Sequence, residues 1–192
     1  VTMPGQFPLV KPLSASQEEH FHRAAMPDLD PSLAPGVVKQ WGQWVKSAPI
    51  EIDGKATRWR ILGIYDLLAH YEDGTVGIID CKVSDSDRDN SQFYAPQLEA
   101  YAYALENPDK GKPFPVSTMG LLVWKLAGIT ETLDGKHGFG VTQHYLHVTR
   151  DQAQFKSLIS DLIDVIEGDL PAAGPDCDTC NYLTKRLALE SD

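Results

Sequence analysis

From residue 50 onward the apolar positions fall into short dense runs separated by polar punctuation. Residues 58–70 and 75–83 are rich in Ile, Leu, Val, Trp and Tyr, and the 71–74 segment between them ends on Asp73-Gly74, a strong hairpin signal. The pair predicts two antiparallel strands, the second of them buried. A polar stretch over 84–91 follows, and then Leu98, Tyr101 and Leu105 recur at helical spacing. That spacing predicts a helix over 95–106, with Pro96 in its first turn and Asn107-Pro108 as its stop. A second strand pair is expected at 118–126 and 141–148. After it, Phe155, Leu158, Ile159, Leu162 and Ile166 predict a helix over 151–167, with Thr149 and Gln152 as a capping box and Gly168 as the stop. The first 50 residues hold seven of the 13 prolines and predict an irregular approach, with helical stretches near 16–25 and 37–46 and no sheet. This order argues one α/β domain over 1–192, with a central mixed β-sheet flanked by α-helices. Within it, 1–49 is the approach, 50–170 the core and 171–192 a tail.

Composition narrows the class. With 42% hydrophobic and 23% charged side chains over 192 residues, the chain is of ordinary globular type, which excludes disorder, collagen and coiled coil. Apolar runs such as 119–124 fall far short of the roughly 20 residues a membrane span requires, so no membrane contact is expected. Three cysteines without an evident framework suit a reducing, cytoplasmic setting. Net charge is −10, carried by two acidic blocks: 66–90 holds seven acids against two bases, and 161–192 eight against two. That sign excludes a free-standing protein gripping nucleic acid through phosphate contacts alone. A metal ion, or a protein partner supplying basic surface, would have to offset it. Trp41, Trp44 and Trp59 lie among scattered bases, at spacings that suit either core packing or stacking on single-stranded bases.

The sharpest chemistry is in the second strand, which reads Gly77-Ile78-Ile79-Asp80-Cys81-Lys82. Asp80 and Lys82, two apart, project from one face of a strand. The hairpin partner carries Asp66 inside another apolar run, where an unpaired carboxylate costs several kcal/mol unless a cation or water compensates it. Asp66 and Asp80 are placed to meet across the turn, and two carboxylates with a backbone carbonyl form a hard-oxygen set that suits Mg²⁺ and leaves positions for water and a phosphate oxygen. A plain structural ion pair at a strand end is the competing reading of the same residues.

An acid after a glycine, Asp-x-Lys at a strand end, and a following helix with Gln97 and Tyr101 four apart together resemble the PD-(D/E)XK nucleases, most closely the RecB-like branch that includes CRISPR-associated and recombination exonucleases. The resemblance covers 63–106 and implies a restriction-endonuclease-like core. It implies Mg²⁺ or Mn²⁺ held by Asp66, Asp80 and the Cys81 carbonyl, Lys82 beside the attacking water, and Gln97 and Tyr101 bordering the pocket. It further implies a DNA substrate, single-stranded or at duplex ends. Many relatives add a histidine ligand ahead of the sheet, for which His20 or His22 is the candidate. Cys177 and Cys180 resemble a tail motif that in some relatives holds an iron–sulfur cluster, but no other suitable cysteine flanks the core, so no cluster is expected. No helix is expected to follow this pair, which argues against a thioredoxin-like redox role. A second reading stays open: a catalytically silent member of the fold that binds nucleic acid or protein within a larger complex.

Overall fold

The computed structural model describes residues 10–84, 88–131, 134–172 and 174–189. Helices α1 (Val10–Phe21) and α2 (Met26–Leu29) lead into strand β1 (Gly36–Lys46). A small ribbon of β2 (Glu51–Ile52) and β3 (Lys55–Ala56) precedes the hairpin β4 (Leu62–Tyr71) and β5 (Val76–Ser84). Then come α3 (Ser91–Glu106), β6 (Val116–Glu131), β7 (His137–His147), α4 (Gln152–Glu167) and α5 (Asp178–Leu189). Five strands form a mixed sheet in the order β1-β4-β5-β6-β7, antiparallel except for β5 and β6, which run parallel and are joined by the α3 crossover. The expected α/β architecture is the one observed. Among the described residues no helix is long and apolar enough to cross a membrane.

Two cores sandwich the sheet. On one face, Leu98, Ala102 and Leu105 of α3 pack on Leu68, Ile78, Met119 and Leu121. On the other, Phe21, Met26 and Leu29 pack on Val38, Leu67, Ile79 and Leu122. Each residue of this kind taken fully out of water stabilises by about 1.5–3 kcal/mol. The β4–β5 turn forms as its sequence dictates: Gly74 takes φ 83°, and Asp73 Oδ1 accepts from Thr75 N–H at 2.9 Å.

The N-terminal segment corrects the sequence reading. Residues 37–46 are not helical but are the edge strand β1, paired with β4 along its whole length. Val37, Val38, Trp41, Trp44 and Val45 are β-branched or aromatic, and Gly42 sits at φ 57°, which a helix does not admit. The expected helix over 16–25 begins earlier and stops at Phe21. Helix α3 starts at Ser91, so Pro96 lies inside it rather than in its first turn. Helix α4 is capped by Asp151, whose side chain accepts from Gln154 N–H at 2.8 Å, in place of the Thr149–Gln152 box; Gly168 does end it. A helix also follows Cys177: α5 begins at Asp178, an acid in the first turn, with Arg186 in the last, an arrangement that favours the helix dipole. It buries no residue, and its apolar Leu183 and Leu187 are exposed.

Candidate active site

The hairpin opens where its acids lie. Pairing between β4 and β5 runs from His70↔Val76 to Leu67↔Ile79, and Asp66 and Asp80 are the next residues beyond that last rung. From there β5 continues on β6 (Asp80↔Leu121, Lys82↔Val123), while β4 continues on β1 (Tyr65↔Gln43). The Cys81 N–H, left without a strand partner on this side, donates to Asp66 Oδ2 at 2.7 Å. Asp66 thus stands in for a rung of the ladder and is held at the opening. Gly42, between the Trp41↔Leu67 and Gln43↔Tyr65 rungs, bends β1 at the same level; a Cβ there would come 3.5 Å from Glu18 Oε2, so α1 brings Glu18 over this point.

Asp80 is 1% exposed. Its Oδ1 accepts from Gln97 Nε2 at 3.2 Å, and its Oδ2 is in ion-pair contact with Lys82 Nζ and has no other polar partner. Gln97 Nε2 also donates to the Tyr101 hydroxyl at 2.9 Å, as the one-turn spacing on α3 allows. Tyr101 lies against Gly63, where a Cβ would stand 2.7 Å from Cε1, so glycine is required for the ring to reach the site. The Tyr94 ring covers Lys82, 4.7 Å from Nζ.

Burial pushes Asp80 up to about 6; Lys82 pulls the other way and Asp66 adds to the rise. Asp66 is likewise raised, by burial first, against the Cys81 N–H and the Lys82 charge. Glu18 is pushed up to about 7 by burial and then by the Asp66 and Asp80 charges. Burial alone would lower Lys82, but the Asp80 carboxylate outweighs it and raises the lysine, which is an ammonium at neutral pH. Three crowded carboxylates against one ammonium make a site short of positive charge.

The model of the PD-(D/E)XK nuclease superfamily matches residues 12–184. The chain belongs to that superfamily. Among curated proteins, none matches it. A solved structure described as "Crystal structure of SSO0001" is similar at 16% identity and a TM-score of 0.48, over 91% of this chain and 66% of that one.

In this PD-(D/E)XK chain, Asp66, Asp80, Lys82, Gln97 and Tyr101 come together at the strand opening, with Cys81 and its carbonyl between the second acid and the lysine. Of the two histidines of the N-terminal segment, His20 packs on Phe21 and Trp124, and His22 lies against Trp41 with Nδ1 at the Glu19 carbonyl. The α1 side chain coupled to both aspartates is Glu18, which sequence reasoning passed over in favour of the neighbouring imidazoles. The signal was the face of the helix. Buried Gln17, whose Nε2 donates to the Leu122 carbonyl at 2.7 Å, and buried Phe21 turn that side of α1 onto the sheet. Among the described residues no three carboxylate, imidazole or thiol groups already form a closed coordination cluster. The donor set nevertheless fits a hard divalent cation. Mg²⁺ is usually held by one or two carboxylates and completed by water and substrate phosphate, and an Asp80 oxygen with only Lys82 beside it faces the charge deficit.

Proposed function

We propose that this protein is a metal-dependent deoxyribonuclease of the RecB-like type, acting as an exonuclease on single-stranded DNA or duplex ends. The carrying observation is the strand opening that brings buried Asp80, half-buried Asp66 and Lys82 to one point under Gln97. Asp66, Asp80 and the Cys81 carbonyl would hold Mg²⁺ or Mn²⁺, with Glu18 close enough to join through water. A divalent cation there supplies a Lewis acid for the phosphoryl oxygen and a water acidified toward neutral pH. The chain's own residues do the rest. Lys82, kept protonated by Asp80, offers a fixed positive charge to the negative charge that develops on the phosphorane oxygens. Gln97 fixes the Asp80 carboxylate through Oδ1, and Tyr101 fixes Gln97. Asp66 is oriented by the Cys81 N–H, so neither acid needs to reorganise when substrate arrives.

The second reading, a silent PD-(D/E)XK module within a larger assembly, draws on the net charge of −10 and on the ion pair by which Lys82 already meets Asp80. In it, a protein partner would supply the basic surface. Incubating end-labelled linear DNA and a covalently closed single-stranded circle with Mg²⁺, beside EDTA, separates the readings. An exonuclease shortens the linear strand progressively and spares the circle. Attack on the circle would make the protein an endonuclease, and cleavage of neither would favour the silent module.

A further inference from the structure

Phe93 is the most exposed aromatic side chain among the described residues, at 84%. Its position on α3 sets it apart from the other exposed apolar residues. Phe93, Gln97 and Tyr101 are successive four-residue steps along one face of the helix, and Gln97 is the residue that touches both Asp80 and Tyr101. Phe93 therefore stands one turn, roughly 6 Å, beyond the group that holds the catalytic acid. Helical side chains lean toward the N-terminus, which carries the ring away from Gln97 and out over the first turn of α3. The next residue, Tyr94, covers Lys82 at 4.7 Å, which brings this end of α3 to the site. Of the two adjacent aromatics, one covers the ammonium and the other faces solvent.

We propose that Phe93 determines substrate specificity by stacking on the base of a nucleotide flanking the phosphate held at Asp80 and Lys82, and so selects unpaired or frayed strands over intact duplex. The proposal rests on the nuclease reading of the same site. A base within a duplex has both π-faces covered by its neighbours, whereas a single-stranded or terminal base offers one, and stacking on an aromatic ring is indifferent to sequence. A chain of net charge −10 draws little grip from phosphate contacts, so an uncharged platform meets the need that its composition creates.

The test pairs Phe93→Ala and Phe93→Trp with two readouts: DNA binding by fluorescence anisotropy in EDTA, and cleavage kinetics in Mg²⁺. The probes are a labelled single-stranded oligonucleotide, the same strand with abasic nucleotides at its end, and its blunt duplex. Phe93→Ala weakens single-strand binding and raises KM roughly tenfold, with the loss on KM rather than kcat. Phe93→Trp retains wild-type values, and duplex binding, where only the end pairs offer a face, falls less than single-strand binding. Abasic substitution costs the wild type the same loss and costs Phe93→Ala nothing further. An unchanged Kd and KM in Phe93→Ala, or an abasic penalty equal in variant and wild type, overturns the proposal. So does a fall in solution mass on Phe93→Ala with DNA binding intact, which assigns the ring to a contact between copies. Cleavage with kinetics indifferent to Phe93 defeats the stacking and leaves the nuclease. Binding that depends on Phe93 without any Mg²⁺-dependent cleavage does the reverse, and a wild type that neither binds nor cleaves defeats both.

Discussion

Replacing Asp80 by Asn should change how stability depends on pH as well as activity. A carboxyl whose folded pKa lies above its unfolded value binds more protons in the folded state, so stability is full at low pH and falls as pH rises from the unfolded to the folded pKa. For Asp80 that window runs from 3.8 to about 6. At about 1.4 kcal/mol per pH unit, the ionised, buried acid destabilises the metal-free fold by about 3 kcal/mol, roughly half of which is already incurred at pH 5. Lys82 remains charged throughout this range, so its contribution is constant. Urea unfolding in EDTA at pH 5 and pH 8 reads the effect as a double difference. The stability of Asp80→Asn relative to wild type should rise by about 1.5 kcal/mol between the two. A difference that does not move with pH would refute the reasoning that burial, rather than Lys82, governs this carboxylate.

Mg²⁺ should raise the unfolding midpoint of the wild type at pH 8 more than at pH 5, because it binds ionised acids, and should leave Asp80→Asn nearly unmoved; thermal scans with and without the ion decide this. At limiting Mg²⁺ the cleavage rate should climb through pH 6–7, where Asp80 and Glu18 ionise, and saturating Mg²⁺ should move that limb to lower pH, as a pH–rate series at two metal concentrations will show. Gly63→Ala forces a Cβ into the Tyr101 ring and should cost about 1–3 kcal/mol in urea unfolding, most of it recovered when Tyr101→Ala is added. Arg150 donates to Glu106 at 2.6 Å and to buried Glu99 at 3.1 Å, bolting α3 to the start of α4; Arg150→Ala should cost about 3 kcal/mol in the same assay by leaving buried Glu99 without a cation and with the Asp151 N–H alone.

The hairpin, the crossover helix and the chemistry they carry were legible because each signal is local. Asp73-Gly74 sets the turn, dense apolar runs mark the strands, and Gln97 and Tyr101 fall one turn apart on a helix that period alone reveals. Strand β1 was not legible in the same way. Its Trp41 and Trp44 sit three apart with Val37, Val38 and Val45 around them, a spacing that fits one face of a helix, and only pairing with β4 resolves it. Glu18 was hidden for a related reason: its part in the site depends on which face of α1 meets the sheet, and this is fixed by the tertiary contacts of Gln17 and Phe21. Helix α5 has Cys180, Leu183 and Leu187 at helical spacing, a stripe that was legible but passed over beside the cysteine pair.

The most direct measurement is single-turnover cleavage of end-labelled single-stranded DNA in Mg²⁺ by wild type, Asp80→Ala and Lys82→Ala, with circular dichroism confirming that all three are folded. The wild type should cleave in Mg²⁺ and not in EDTA, and each variant should lose at least about 10²-fold in rate. Equal rates in the three proteins, or cleavage that persists in EDTA, would contradict a nuclease site built on Asp66, Asp80 and Lys82.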